Sequence, residues 1–383
     1  MILILKLLFW MALSLLSYTY FIYPLILILL NVYKFKPDIN NETVLPHVAM
    51  VVAAYNEEKI IEEKIINYLR LDYPKDRLEI IIGSDGSSDM TANIVKKYAT
   101  KGVRLYNFGK RIGKVNILNR IVPGLKAKII VFSDANTMYE PNAIRELVKH
   151  FSNNSIGCVC GRLILNKPND SYEGEFEGIY WKYETFLKRL ESTKSSLLGA
   201  NGGIYAIRKE LFQILPSTTI IEDFVIPMKV LERRYGVIYE PQAIAYEETS
   251  RSIEEESKRK ARIGAGAYQA LLLTLPMLNI FRGFPSFAYW SHKVLRWLVP
   301  FSLILLFFLN VLLLGKALYQ VLFIIQCVIY TGAFIGYLLS TKKHHLKLFT
   351  VLYYFVAMNV SLLVGFFRFF SGMQSVTWER VER

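Results

Sequence analysis

Asp134 closes an apolar run, Ile129-Ile130-Val131-Phe132-Ser133, and precedes Ala135-Asn136. A carboxylate behind four consecutive apolar residues is costly unless it meets water, a partner or a cation. A hard divalent ion would satisfy it, and the amide oxygen of Asn136 offers a second, uncharged ligand. Much later in the chain Glu222 and Asp223 form an adjacent acidic pair opening a helix. Two acids there complement the helix dipole, worth a few tenths to about 1 kcal/mol; a carboxylate so placed also suits a general base. Asp85 begins Asp85-Gly86-Ser87-Ser88-Asp89, a composition suited to a turn and a helix cap, with Asp89 as the cap. Glu57 falls where a first-turn acid is favourable, and Lys114 where a helix start favours phosphate. Arg259 and Arg262 are three apart, hence on one face of an amphipathic helix. Such a face suits anionic lipid headgroups or a phosphate clamp.

The elements that must position these residues alternate. Residues 48–53 form a continuous apolar run, as expected of a strand buried on both faces. Asn56 is expected to cap a helix whose first turn carries Glu57 and Glu58 and which ends near Pro74. A strand at 79–83, a helix to about Ala99, a strand at 103–106, a helix from about Gly113 and a strand at 128–133 follow. This spacing predicts a parallel sheet covered by helices, with ligands beyond the carboxyl ends of its strands. Tyr55, Asp85 and Asp134 each follow a strand by one or two residues, which puts all three on one edge. The second half reads as mixed: a strand near 156–165, a helix near 172–191, Gly199-Ala200-Asn201-Gly202-Gly203, a helix after Asp223 and a strand near 237–247. No internal repeat or low-complexity tract interrupts it.

The chain is 53% hydrophobic, 14% aromatic and 20% charged over 383 residues. That is too apolar for an ordinary soluble enzyme and too charged for a bundle of membrane helices alone. The apolar runs lie at the two ends. Residues 2–33 carry a single charge, Lys6, and are long enough to cross a bilayer. They exceed a signal-peptide core and lack a clear cleavage site, so residues 1–36 read as an uncleaved anchor. Three further spans are expected at 294–315, 317–340 and 348–371 within a segment 294–371, followed by a tail 372–383. Residues 37–262 form the soluble domain, and 263–293, with Gly264, Gly266, Pro276 and Pro285, reads as helices lying along the membrane. Lys34, Lys36, Arg282, Lys293, Arg296, Lys342, Lys343 and Lys347 flank one side of the spans, against Lys316 alone on the other. The positive-inside bias then puts the soluble domain in the cytoplasm and both termini outside, as in a multi-pass protein of the plasma membrane.

A net charge of +14 raises nucleic acid as a partner, but no recognition helix, zinc spacing or RNP-like motif accompanies it. Basic residues beside membrane lipids and a diphosphate explain the charge. Cys158 and Cys160 alternate along an apolar strand and read as small core residues facing one way, in a reducing compartment. The five histidines show no metal spacing, and His344 and His345 read as solvated.

Taken in order, Ala54-Tyr55-Asn56-Glu57, Asp85-Gly86-Ser87-Ser88-Asp89, Gly113-Lys114, Asp134-Ala135-Asn136, Gly199-Ala200-Asn201-Gly202-Gly203, Glu222-Asp223 and Arg259-Lys260-Ala261-Arg262 resemble the motifs of membrane-anchored family 2 glycosyltransferases, relatives of the cellulose, chitin and hyaluronan synthases. The resemblance covers about 45–290 and implies a GT-A fold: α/β, with a mixed, mostly parallel sheet. It implies inverting transfer of a sugar from a nucleotide-diphosphate donor, most commonly a UDP-sugar, with Mg²⁺ or Mn²⁺ as cofactor. Asp85 would hydrogen-bond the nucleobase, with Ala54 and Tyr55 walling it and Glu57 nearby. Asp134 and Asn136 would hold the metal, Lys114, Arg259 and Arg262 the diphosphate, and Asp223, beside Glu222, would be the base. The acceptor would be a carbohydrate or a lipid-linked molecule, in envelope or surface polysaccharide synthesis.

Three departures bear on that reading. Asn136 stands where many relatives have a second aspartate; Ile221 replaces the threonine before Glu222-Asp223; Arg259 and Ile263 replace the glutamine and tryptophan flanking the motif's arginine. Loss of that tryptophan weakens the case for a processive polymerase. Four helices with few ionisable residues are also few to enclose a sugar chain without a second copy or a partner subunit, so transfer to a polyprenyl phosphate is a rival reading. A nucleotidyltransferase would want a glycine-rich loop after the first strand, and a transporter would want charges or breaks within its spans. Ala53-Ala54-Tyr55-Asn56 is not such a loop, and the spans carry few ionisable residues beyond Arg296 and Arg368.

Overall fold

A computed structural model of the chain describes residues 1–31, 45–166, 173–248, 253–341 and 346–374. Lys34, Lys36, Lys342, Lys343, His344, His345, the junction at 36–37 and the tail from 375 lie outside the described residues. Eight strands form one sheet: β1 (Val48–Ala54), β2 (Leu78–Asp85), β3 (Val103–Phe108), β4 (Ile129–Asp134), β5 (Thr137–Tyr139), β6 (Ile156–Asn166), β7 (Tyr205–Arg208) and β8 (Gly236–Glu248). Their order is β3-β2-β1-β4-β7-β6-β8-β5. The first four neighbours run parallel, whereas β7 is antiparallel to both β4 and β6, and β5 to β8.

Every residue of β1 is buried. Ala49, Val51 and Ala53 enter the core on one face, with Cys158 and Cys160, while Val48, Met50, Val52 and Ala54 enter the core on the other. Fully burying each Val or Ile side chain contributes about 1.5–3 kcal/mol, which explains why β1 shows no polar alternation. Register sets the functional edge: Ala53 lies opposite Asp134 across β4, and Ala54 opposite Ser84 across β2.

The helix after β1 begins at Ile61, later than expected, with Glu62 and Glu63 in its first turn. Asn56 is not its cap but takes a left-handed conformation, φ +54°. Its side-chain oxygen accepts from the Ser88 amide at 2.9 Å, while Ser87 Oγ accepts from the Asn56 amide at 3.1 Å. The loops after β1 and β2 are thereby latched together. A short polar side chain that bonds locally is the type that tolerates this conformation.

Four described helices are long and apolar enough to cross a membrane: Ile2–Leu30, Phe284–Leu312, Ala317–Thr341 and Lys347–Phe370. The second starts ten residues before the expected 294 and so absorbs much of the segment read as lying along the surface. The basic helix Ile253–Leu273 likewise runs straight through the expected boundary at 262–263. It meets the fourth apolar helix at a glycine pair, where a Cβ added to Gly365 would come 2.5 Å from the backbone of Gly264 and Ala265. Only glycines permit so close a crossing.

Candidate active site

Asp134 ends β4, and Glu222 and Asp223 begin the helix Glu222–Glu232. Lys114, first residue of the helix Lys114–Ile121, ties the two together: its Nζ lies 2.7 Å from Asp134 Oδ1 and 2.7 Å from Glu222 Oε1. Gly202 lies under the remaining oxygens. A Cβ there would sit 3.0 Å from Asp223 Oδ2 and 3.4 Å from Asp134 Oδ2, so two carboxylates distant in sequence close on one glycine. Both line a cavity of about 1440 Å³ that also contains Glu57, Lys114, Asn136, Glu222, Arg259 and Arg262.

The charges in this cleft set each other's proton affinities. Burial, then the Glu222 carboxylate, push the Asp223 carboxyl up from 3.8 to about 6, with Lys114 opposing. Burial alone would depress the Lys114 ammonium, but Asp134, Glu222 and Asp223 outweigh it and hold Lys114 above its ordinary value. Asp223 is therefore a carboxylate at neutral pH with an affinity for protons well above that of a solvated aspartate, which is what a general base needs.

The basic helix positions the acidic pair from behind. Gln269 accepts from the Ile220 amide at 2.9 Å and donates to the Thr218 carbonyl at 2.8 Å, and Arg262 reaches the Ile220 carbonyl at 3.4 Å. Ile221, in place of the expected threonine, packs where a Cβ at Gly266 would come within 2.7 Å of it. Arg259 and Arg262 consequently line the same cavity as the carboxylates.

The residues expected around a nucleobase lie at the ends of β1 and β2. Asp85 is fully buried, its Oδ1 accepting from the amides of Ile112 at 2.6 Å and Gly113 at 3.0 Å. It holds the loop that delivers Lys114 and is not among the residues lining the cavity with Asp134. Ala54 is buried in β1, and Tyr55 carries the Arg111 guanidinium over its ring at 3.9 Å. Glu57 does reach the cavity.

Asn136 donates from Nδ2 to Glu247 Oε1 at 3.0 Å, so its side-chain oxygen is the atom left to ligate a cation. Among the described residues no three His, Cys, Asp or Glu side chains cluster to hold a metal unaided. Asp134 and Asn136 supply hard oxygen donors of the kind Mg²⁺ and Mn²⁺ take, and both line the cavity.

Sequence reasoning passed over Lys64. It is fully buried on the helix Ile61–Leu69, donates to Ser133 Oγ at 2.9 Å and to the Thr137 carbonyl, and lies 4.3 Å and 4.9 Å from the ring centres of Tyr68 and Tyr139. Burial holds its ammonium well below the ordinary lysine range, against the pull of Asp134 and Glu247. The segment it grips carries both Asp134 and Asn136. The signal was present, since Ile61, Lys64, Ile65 and Tyr68 share one helical face. Lys188 was passed over too; it lines the cavity and donates to Asn201 Oδ1, one residue from Gly202.

A mixed sheet with carboxylates at the ends of β4 and of a following helix, opening on one cleft, is the GT-A fold, here joined to apolar helices of a membrane protein. Residues 49–215 match the glycosyl transferase family 2 model. Among curated proteins, the poly-beta-1,6-N-acetyl-D-glucosamine synthase of Staphylococcus aureus is 27% identical over 244 residues, covering 62% of this chain and 58% of the synthase. The Staphylococcus epidermidis synthase is 26% identical over 232 residues, 59% of this chain and 55% of the synthase. The chain thus spans less than two thirds of the length of these relatives. Among solved structures, a mannosyltransferase of Pyrobaculum calidifontis, in complex with GDP-Man and Mn2+, superposes with a TM-score of 0.71 over 95% of this chain and 99% of its own, at 20% identity. The shared fold therefore includes the apolar helices.

Proposed function

We propose that the protein transfers a sugar, with inversion, from a nucleoside-diphosphate sugar to a carbohydrate or lipid-linked acceptor at the membrane, in the synthesis of a surface polysaccharide. The observation that carries this reading is the approach of Asp134 and Asp223 to one glycine, with Lys114 bridging the acidic residues behind them. The staphylococcal relatives, named for synthesis of a β-1,6-linked N-acetylglucosamine polymer, support a nucleotide-sugar donor and a carbohydrate product. In this scheme Arg259, Arg262 and Lys114 bind the donor's diphosphate, the arginines by paired donors and Lys114 as a point charge. Asp223 faces the acceptor. The acceptor hydroxyl oxygen attacks the anomeric carbon, the bond from that carbon to the diphosphate breaks, and the hydroxyl proton passes to the Asp223 carboxylate. Asp134 and Asn136 would hold Mg²⁺ or Mn²⁺, which would neutralise charge on the departing diphosphate. Glu222, held by Lys114, keeps Asp223 basic by repulsion. The domain bearing this site would face the cytoplasm.

The test is a screen of UDP- and GDP-sugars with the purified protein and Mn²⁺ or Mg²⁺. Expected are release of nucleoside diphosphate, its loss on chelation, and an inverted anomeric configuration by NMR. A product that keeps the donor's configuration, or no cleavage of any nucleotide sugar, overturns the proposal.

A further inference from the structure

The cavity that holds the carboxylates does not end with them. Its volume, about 1440 Å³, exceeds the roughly 300–1,000 Å³ usual for a small-molecule site. A chain of contacts runs from its catalytic end toward the apolar helices. Gly202 lies against Asp223, and the adjacent Asn201 accepts from Lys188. Beyond, Arg296 packs over the rings of Tyr20 and Tyr183, at 5.5 Å and 5.7 Å, and Tyr20 meets Phe355 edge-on at 5.5 Å. Lys188, Lys293 and Arg296 all line this middle stretch, and Glu184 holds the latter two in place. Around Phe355 the wall is mostly apolar, with Leu16 on the first apolar helix and Met358 and Leu362 on the fourth, joined there by Asn359 and Ser361. Phe21 and Val351 border the cavity and are also exposed, 74% and 44%.

We infer that this slot binds the tail of a lipid-linked saccharide whose linkage bears phosphate, and that this molecule is the acceptor. The inference rests on the glycosyltransferase reading above and narrows it. Three zones match three parts of such a molecule. A mostly apolar wall among the apolar helices suits a hydrocarbon chain. The Lys188, Lys293 and Arg296 cluster at its inner mouth suits a phosphate linkage. Asp223 beyond it suits a sugar hydroxyl, because a phosphate oxygen is already an anion and needs no base to attack. The aromatic Trp181, lining the cavity near Lys188, offers a ring face to the sugar between.

Binding can be read without turnover. The full-length protein in phosphatidylcholine nanodiscs is titrated with a long-chain prenyl phosphate, the matching prenol and inorganic phosphate, following tryptophan fluorescence and native mass spectrometry. Prenyl phosphate is expected to bind at least about tenfold more tightly than prenol, a difference of about 1.4 kcal/mol, and inorganic phosphate not to compete for the slot. Either Met358→Trp or Leu16→Trp, which fill the slot, should weaken prenyl phosphate at least about tenfold, and Lys293→Gln should erase its advantage over prenol. Equal affinity for prenol and prenyl phosphate, or unweakened binding in both slot-filling variants, overturns the inference. That failure is separate from failure of donor cleavage in the nucleotide-sugar screen, which would remove the transferase reading itself.

Discussion

Asp223→Asn separates catalysis from stability in opposite directions. In the folded protein the Asp223 carboxyl is pushed from 3.8 to about 6, by burial first and by Glu222 second. The gap corresponds to about 3 kcal/mol. The sign follows from proton binding. Between pH 3.8 and about 6 the unfolded chain has released this proton and the folded chain has not, so stability falls as pH rises through that window. Above it the ionised Asp223 leaves the fold up to about 3 kcal/mol less stable than a neutral side chain would. An asparagine removes that penalty while keeping shape. At pH 7.5 the variant should therefore melt higher than the native protein in a thermal or denaturant scan, and the difference should vanish below pH 4. Turnover should fall by about 10²–10⁴ with nucleotide binding largely intact, as expected when a base is lost. The native enzyme should in turn lose activity below pH 6, about tenfold for each further pH unit. Activity unchanged between pH 7.5 and 5, or an asparagine variant less stable at pH 7.5, refutes the reasoning. Loss of nucleotide binding would make Asp223 a donor ligand instead.

Two further substitutions test the supports of the metal-side carboxylate. Lys64→Met leaves Ser133 and the Thr137 carbonyl without their buried donor, at a cost of about 1–3 kcal/mol in denaturant melts, and should raise the metal concentration for half-maximal activity by loosening the Asp134–Asn136 segment. Asn136→Asp adds a formal charge beside Asp134 and should lower that metal concentration; an unchanged value removes Asn136 from the ligand set.

How much of this was legible depended on whether the cause was local. The strands β1, β2 and β4 stand out because burial on both faces gives continuous apolar runs, over 48–54, 80–82 and 129–132. The short β5 and β7 do not: four residues or fewer, Tyr205–Arg208 among them, carry too little period, and their antiparallel pairing is decided by distant partners. Asp134 was visible as a charge behind an apolar run, and Glu222-Asp223 as an acidic pair opening a helix. Asp85 was visible as a turn residue at a strand end, but the amides that hold it belong to a loop that returns over it, a closure no local pattern records. Lys64 was hidden for the opposite reason, since a lysine on an amphipathic helix ordinarily reads as solvated. The cavity reaching into the apolar helices could not be foreseen at all, because helices far apart in sequence build its walls.

The glycine crossing has a mechanical consequence. Gly264 sits two residues from Arg262 and presses against Gly365 with no side chain between. The guanidinium that lines the cavity is thus geared, without slack, to one of the four apolar helices. Helices that span a bilayer tilt to match hydrocarbon thickness, at fractions of a kcal/mol per ångström of mismatch. On the proposed placement in a bilayer, lipid composition would become a dial on the geometry of the proposed active centre, acting through backbone contact.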